Sequence, residues 1–518
     1  MEKKNTFFKA GAVLALSGIM IKALSAVYRI PLTRMLGADT MGRYSAMLNL
    51  FMPFFSFSTA GITTAVANCT AVHSGETRTD LYTIRRKAVE LYTVSAVIVA
   101  IIFAISGRIY AYIQKDMLYF YGAFILAPAI VLTAAENVFK GITQGQMNML
   151  PTAQAGLIES FFKTATGLAG VWLAMHFMPA DKKETALMAS LAAITLSGLI
   201  CTIFLWFKSR TEKTVVPTEK TVNSRDMLKI SVPVGVSALT VSLTSFFDTA
   251  FCLPRISGLP YTSIVKSFSG ASFMGAGDIT MYLFGVWQGM VLTVFNLVPS
   301  IVSSAGTAAL PLISRSWQRK NKKLVNSSTE KLFKATSALC VPAFAFIFCF
   351  GADIIRFLFG TTTQQTVVAE QLLRILCTTG VFCCFGNAFN TVLYAADKAD
   401  RVFAVLLSAC VVKSAVGYIL CGMEAINIKA FAVSGGCFYT IIFVRSIAEL
   451  KKLGINFDFI QIFATPVLTS AVSVLVVKWI ADTQFYSLPL FFKLFFSGTV
   501  FVCIYILAII CTGFIVDK

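Results

Sequence analysis

Almost the entire chain is laid out as apolar stretches separated by short polar loops. Each stretch has the roughly 20 residues that a helix needs to cross a bilayer. In hydrocarbon every backbone polar group must be satisfied internally, so a chain of this kind folds as a helical bundle or not at all. About fourteen spans are expected, from 10–36 at one end to 459–480 and 487–514 at the other. The composition agrees: 57% of the 518 residues are hydrophobic and 13% are charged. Soluble domains carry about 25% charged residues. The expected class is all-α, a polytopic membrane protein.

A net charge of +19 would fit a nucleic-acid binder, but its distribution argues against that reading. The basic residues gather in alternate loops. One set holds Arg78, Arg85, Arg86 and Lys87; Lys208, Arg210, Lys213 and Lys220; Arg315, Arg319, Lys320, Lys322 and Lys323; and Arg445, Lys451 and Lys452. The intervening loops hold few cations, among them Arg108, Lys115, Lys182, Lys183, Arg255 and Lys266. By the positive-inside rule both termini are expected in the cytoplasm. The start of the chain has Lys3, Lys4 and Lys9 before an apolar run, and then Ala23-Leu24-Ser25-Ala26. The run continues past that segment, so an uncleaved first span is expected rather than a signal peptide.

The longest polar stretch lies at 208–226 and reads as a cytoplasmic linker. It divides the chain into an N-lobe of six spans (1–207) and a C-lobe of six (227–450), with two extra helices at 451–518. The halves carry matching fragments. Span two has Pro53 and then Ser58-Thr59-Ala60-Gly61; span eight has Pro299 and then Ser303-Ser304-Ala305-Gly306. Asn137-Val138-Phe139 ends span four, and Asn387-Ala388-Phe389 sits in span ten. Two six-span repeats enclosing a central site, with span one facing span seven, is a transporter plan. Proline inside a span removes a backbone donor. The matched positions Pro53, Gly61, Pro299 and Gly306 are therefore the candidate hinges.

Chemistry that would mark an enzyme is missing from the sequence. No GxxxxGK[ST] phosphate loop occurs; GITQG at 141–145 lacks the lysine. No loop is long enough for an ATPase domain, and no cofactor is expected. The 13 cysteines are scattered, mostly within spans and without a CxxC pair, and read as small packing residues. Only two histidines occur, His73 and His176, so a zinc or copper site is not expected.

The informative residues are the charges inside spans. A cation in the bilayer core costs about 3 kcal/mol or more, so it is kept where it faces a partner or a water-filled cavity. Span one carries Lys22 and Arg29, two helical turns apart on one face, and Arg34 near its end. Span four ends with Glu136, Asn137, Lys140 and Gln144. Span five carries Glu159 and Lys163 in the favourable i,i+4 order. Asp248 lies in span seven, Glu370 and Arg374 in span ten, and Lys413 in span eleven. Lys140, Lys229, Lys478 and Lys493 are read as cations that snorkel to span ends. The candidate substrate-binding set is Lys22, Arg29, Arg34, Glu136, Asn137, Gln144, Glu159, Lys163, Asp248 and Arg374. A cationic lumen of this kind would attract a phosphate, a pyrophosphate or an organic acid.

KALSAVYRIPLTRMLGADTMGRYS (22–45) followed by FSTAGITTAVAN (57–68) resembles the opening of the polysaccharide-biosynthesis and stage V sporulation protein B group. That group is part of the multidrug/oligosaccharidyl-lipid/polysaccharide exporter superfamily and includes MurJ-like lipid II flippases. NVFKGITQGQMNMLPTAQAGLIESFFKTATGL (137–168) is similar to the group's second signature. The resemblance implies a fourteen-helix, two-lobed fold that moves a lipid-linked glycan precursor between leaflets. It implies that Lys22 and Arg34 match cavity positions for the lipid pyrophosphate. The pattern departs from MurJ-like chains in two places: span two has no basic residue from Tyr44 to Val72, and Glu136 stands where arginine is common.

Two transport readings follow. One is a flippase for an undecaprenyl-pyrophosphate-linked sugar, with the peptidoglycan precursor lipid II as first candidate, possible cell-wall synthesis partners and a sporulation setting. The other is a cation-coupled multidrug exporter of the same superfamily, which would want an acidic cavity. A membrane-embedded glycan enzyme would need a catalytic external loop, and only 254–277 approaches that length.

Overall fold

A computed structural model describes residues 2–73, 78–177, 182–209, 224–268, 278–455, 457–485 and 488–512. All regular structure among them is helical. The first compact unit, Met1–Pro254, contains α1 (Glu2–Thr59), α2 (Ile62–His73), α3 (Arg78–Gln114), α4 (Leu118–Gly145), α5 (Leu150–Phe177), α6 (Lys182–Lys208) and α7 (Ser224–Phe247). A π-helical turn, Asp248–Cys252, follows α7 and runs into α8 (Leu253–Ser257). The second unit, Arg255–Lys518, continues with α9 (Tyr261–Lys266), α10 (Ile279–Gly285), a second π-helical turn (Val286–Val291), α11 (Leu292–Gln318) and α12 (Lys322–Phe359). It is completed by α13 (Thr363–Cys377), α14 (Gly380–Ala395), α15 (Ala399–Cys421), α16 (Lys429–Lys452), α17 (Phe459–Thr483) and α18 (Leu490–Cys511).

Among the described residues 11 helices are long and apolar enough to cross a membrane, or 12 if the bent pair α13–α14 is one span. Spans one and two of the sequence form one continuous apolar stretch, Met20–Ala71. It is interrupted by Gly37, whose φ of 76° and ψ of 170° suit only a residue without Cβ. The fifth expected span, 150–178, corresponds to the 28-residue α5, which holds Glu159 and Lys163 and is not among those 11. The outward face of α3 shows why this is a membrane protein. Ile98, Ile101, Ile102, Ile105 and Ile109 form a helical stripe, each more than half exposed. A soluble protein of this size would bury such a stripe.

Within the first unit α5 packs on α6 and on α1, α4 packs on α2, α3 and α6, and α7 packs on α1 and α2. By packing, α7 falls with the first unit, so this division lies one helix beyond the 208–226 linker. Of that linker, residues 210–223 lie outside the described residues. In the second unit α11 packs on α12 and α14, α16 on α14 and α15, and α17 on α12 and α18.

Candidate functional site

Glycines on α5 let the first arm of α1 lie close. A Cβ on Gly156 would stand 2.6 Å from Ile21 Cδ1, and one on Gly167 would stand 2.7 Å from the Tyr28 ring. This contact packs α5 against Tyr28, which with Arg29 lies beside Tyr44 of the same helix. It also sets Lys163 Nζ 5.6 Å from the Tyr28 ring centroid, where the π face attracts a cation.

Beyond this layer lies a buried charge cluster. Glu136 on α4 is 0% exposed and forms an ion pair with Lys140 one turn on. Donor atoms of Glu136, Glu159 on α5 and Cys201 on α6 all lie within 4.8 Å of one another. Cys201 Sγ also donates to the Ala155 carbonyl at 3.4 Å. Two carboxylates and a sulfur are cation ligands by type, but the Lys140 ammonium already supplies a positive charge there. Lys140 is therefore no snorkelling residue: its side chain is 16% exposed and turned inward. Glu159 and Lys163 form no ion pair among the described residues; the paired acid is Glu136.

The other candidates have separate positions. Lys22 and Arg34 are exposed on the first arm of α1, while Arg29 is half-buried. Asn137 Nδ2 donates to Thr59 O at 3.2 Å, and Thr63 Oγ1 donates to Asn137 O at 3.3 Å. Asn137 thus ties α4 across the break between α1 and α2. Gln144 Nε2 donates to Thr152 Oγ1 at 3.4 Å, closing the α4–α5 turn. Asp248 is buried at the start of the first π-helical turn. In the second unit Arg374 pairs with Glu370 at 2.7 Å and lies 5.8 Å from the Phe348 ring centroid. Lys478 and Lys493 meet Asp482 and Asp353, each at 3.4 Å.

The candidate hinges also differ. Gly61 sits in the helix break with φ +81°, and a Cβ there would meet the Ser231 carbonyl at 2.8 Å. Gly306 lies within the unbroken α11, and its Cβ would meet Thr391 Oγ1 at 2.9 Å. Pro53 is buried in the second arm of α1, and Pro299 is buried in α11.

Sequence reasoning did not find Tyr28, Tyr44 or Cys201. Cys201 arrives from α6 and Tyr44 from beyond the Gly37 break, so no local spacing links them to the charges, while Tyr28 adjoins Arg29 in the sequence. Lys140 was findable, since it stands four residues after Glu136.

The family model described as "Polysaccharide biosynthesis protein" matches residues 7–317. The chain belongs to the polysaccharide biosynthesis protein family. The MatE model also matches residues 288–419. Stage V sporulation protein B of Bacillus subtilis (strain 168) is 20% identical to this family member over 92% of the chain and 90% of its own length. Lipid II flippase MurJ of the same organism is 20% identical over 70% of the chain and 67% of its own length. Among solved structures, an inward closed lipid II flippase MurJ superposes with a TM-score of 0.69 at 13% identity, covering 97% of this chain and 99% of that one. An inward-facing multidrug resistance MATE transporter of the MOP superfamily superposes with a TM-score of 0.62 at 14% identity, covering 91% and 99%. The protein is therefore a multi-span membrane protein with the MOP transporter fold.

Proposed function

We propose that the chain is a flippase, not an enzyme. Its cargo would be an undecaprenyl-pyrophosphate-linked glycan precursor, with lipid II as first candidate, moved across the cytoplasmic membrane by alternating access. The carrying observation is the first arm of α1: a membrane helix that presents Lys22 and Arg34 as exposed cations and Arg29 half-buried between them. Such a helix suits a diphosphate, because charge pairing strengthens where water is scarce. The name of one relative, lipid II flippase MurJ, points to the same cargo class. The Glu136–Lys140–Glu159–Cys201 cluster would serve as the internal support of that helix rather than as a cargo contact. Pro53, Gly61, Pro299 and Gly306 would be its bending points. Both termini and the 208–226 linker are assigned to the cytoplasm on the alternation of basic loops. Cell-wall synthesis proteins would be its partners, with sporulation as one setting.

The energy source would be the membrane potential, since moving one charge through 100 mV yields about 2.3 kcal/mol. The decisive experiment follows lipid II in vesicles reconstituted with the wild type or with Lys22→Glu, under a potential set by ionophore. Flipping by the wild type and its loss in folded Lys22→Glu are expected. Full activity of Lys22→Glu would end the anion-binding reading; flipping that ignores the potential would end the energetic one alone.

A second reading, a cation-coupled multidrug exporter, draws on the MatE match at 288–419 and the buried Asp248. Efflux of a cationic dye that survives Lys22→Glu and stops with Asp248→Asn would favour it.

A further inference from the structure

A cavity of about 440 Å³ opens in the second unit, where the end of α11, the start of α12 and the end of α16 meet. Trp317, Lys320, Lys322, Val325, Leu453 and Ile455 line it. Its volume lies in the range of small-molecule sites, about 300–1,000 Å³. The turn that builds it is well defined. Lys320 takes φ 54° and donates its amide to the Trp317 carbonyl at 2.9 Å. Asn321 then caps α12 by accepting from Leu324 N at 3.1 Å.

The charge on its α11–α12 side has one sign. Arg315, Arg319, Lys320, Lys322 and Lys323 follow within one turn and its flanks, and the first acid after them is Glu330. Lys320 and Lys322 are exposed and form no ion pair among the described residues. On the last turn of α16 the acid Glu449 is already engaged, by Lys452 at 2.7 Å and Arg401 at 3.1 Å. The cavity also lies at the ends of membrane helices: α12 and α16 are both long and apolar enough to span.

We propose that this cavity binds the phosphate-bearing headgroup of an anionic diacyl phospholipid. Lys320 and Lys322 meet the phosphate, and Trp317 with Val325 and Ile455 covers the glycerol region. Basic pockets between helix ends recognise such headgroups. Tryptophan at this depth is the residue that tolerates one wet and one apolar side. The site is distinct from the α1 cations and does not depend on the flippase reading.

The test uses full-length protein in phosphatidylcholine nanodiscs containing a minor share of spin-labelled phosphatidylglycerol, and reads the immobilised fraction. The wild type is expected to hold phosphatidylglycerol at least about tenfold more tightly than Lys320→Glu/Lys322→Glu. Arg86→Glu/Lys208→Glu, which changes the net charge equally on exposed residues of the first unit, should behave as the wild type. Equal binding by the Lys320/Lys322 variant, or an equal loss in the control, would overturn the proposal. Two competition arms identify the source of the phosphate. Displacement by inorganic phosphate, or stronger occupancy by a polyprenyl diphosphate than by phosphatidylglycerol, would also overturn it. Retention against both supports it.

Discussion

The two units solve the same packing problem with opposite chemistry. Asn137 on α4 and Asn387 on α14 stand in the matched fragments of the two halves. Around Asn137 the chain places Glu136 and Lys140, and the unit closes over an ion pair, a second carboxylate and a thiol. Around Asn387 it places Cys383, Cys384, Phe385 and Phe389, and the unit closes over rings. Phe389 lies 4.9 Å from Phe333 and 5.5 Å from Phe443, and Phe385 lies 4.4 Å from Phe463. The ion pairs of the second unit, such as Arg401–Glu449 at 3.1 Å, sit toward helix ends. A repeated helical plan therefore leaves the interior free to be polar in one copy and apolar in the other. A buried ion pair is weak evidence for stability, because desolvation offsets the attraction. The Glu136–Lys140 pair lies in the unit that also carries the α1 cations Lys22, Arg29 and Arg34.

The largest effect should come from unbalancing the charged interior. Lys140→Met leaves Glu136 buried beside Glu159 without its cation, and a loss of about 3–5 kcal/mol is expected. Glu136→Leu/Lys140→Met removes both partners and should recover most of that loss in thermal unfolding of the detergent-solubilised protein. A double variant as unstable as Lys140→Met would show that the pair is not the unit's electrostatic anchor.

Phe389→Ala probes the other interior and should cost about 3–5 kcal/mol as a cavity in the ring cluster. Unlike Lys140→Met, it should not be rescued by any charge change, and transport per folded molecule should persist. A transport defect at full stability would erase the contrast between the units.

A smaller effect is expected where α4 holds the α1–α2 break. Asn137→Ala strands the Thr59 carbonyl and should cost about 1–3 kcal/mol. Asn387→Ala, with no corresponding break in α11, should cost less. Hydrogen exchange at residues 59–63 would report the difference directly; equal protection in the two variants would remove Asn137 from the hinge. The smallest change is expected for Arg374→Gln, since the Arg374 side chain is half exposed in its pair with Glu370. A shift of about 0–1 kcal/mol is expected, shrinking further in high salt.

Hydropathy alone led to the all-α class, because a span of about 20 apolar residues has one stable fate in lipid. It also located the charges of α1, α4 and α5, since an ionisable residue inside such a span stands out from its neighbours. It could not show who meets whom. Glu159 and Lys163 have favourable spacing, yet Glu136 is the acid that takes a lysine. Lys140 reads as an end-of-span cation, yet it points inward. Gly61 and Gly306 sit in nearly identical fragments, yet only Gly61 breaks its helix. These outcomes turn on which side chains other helices bring within a few ångströms: Cys201 from α6, Tyr28 from α1, Ser231 from α7. Hydropathy is a property of one segment and is written along the chain. Charge pairing and close approach are properties of several segments at once, and only their packing decides them.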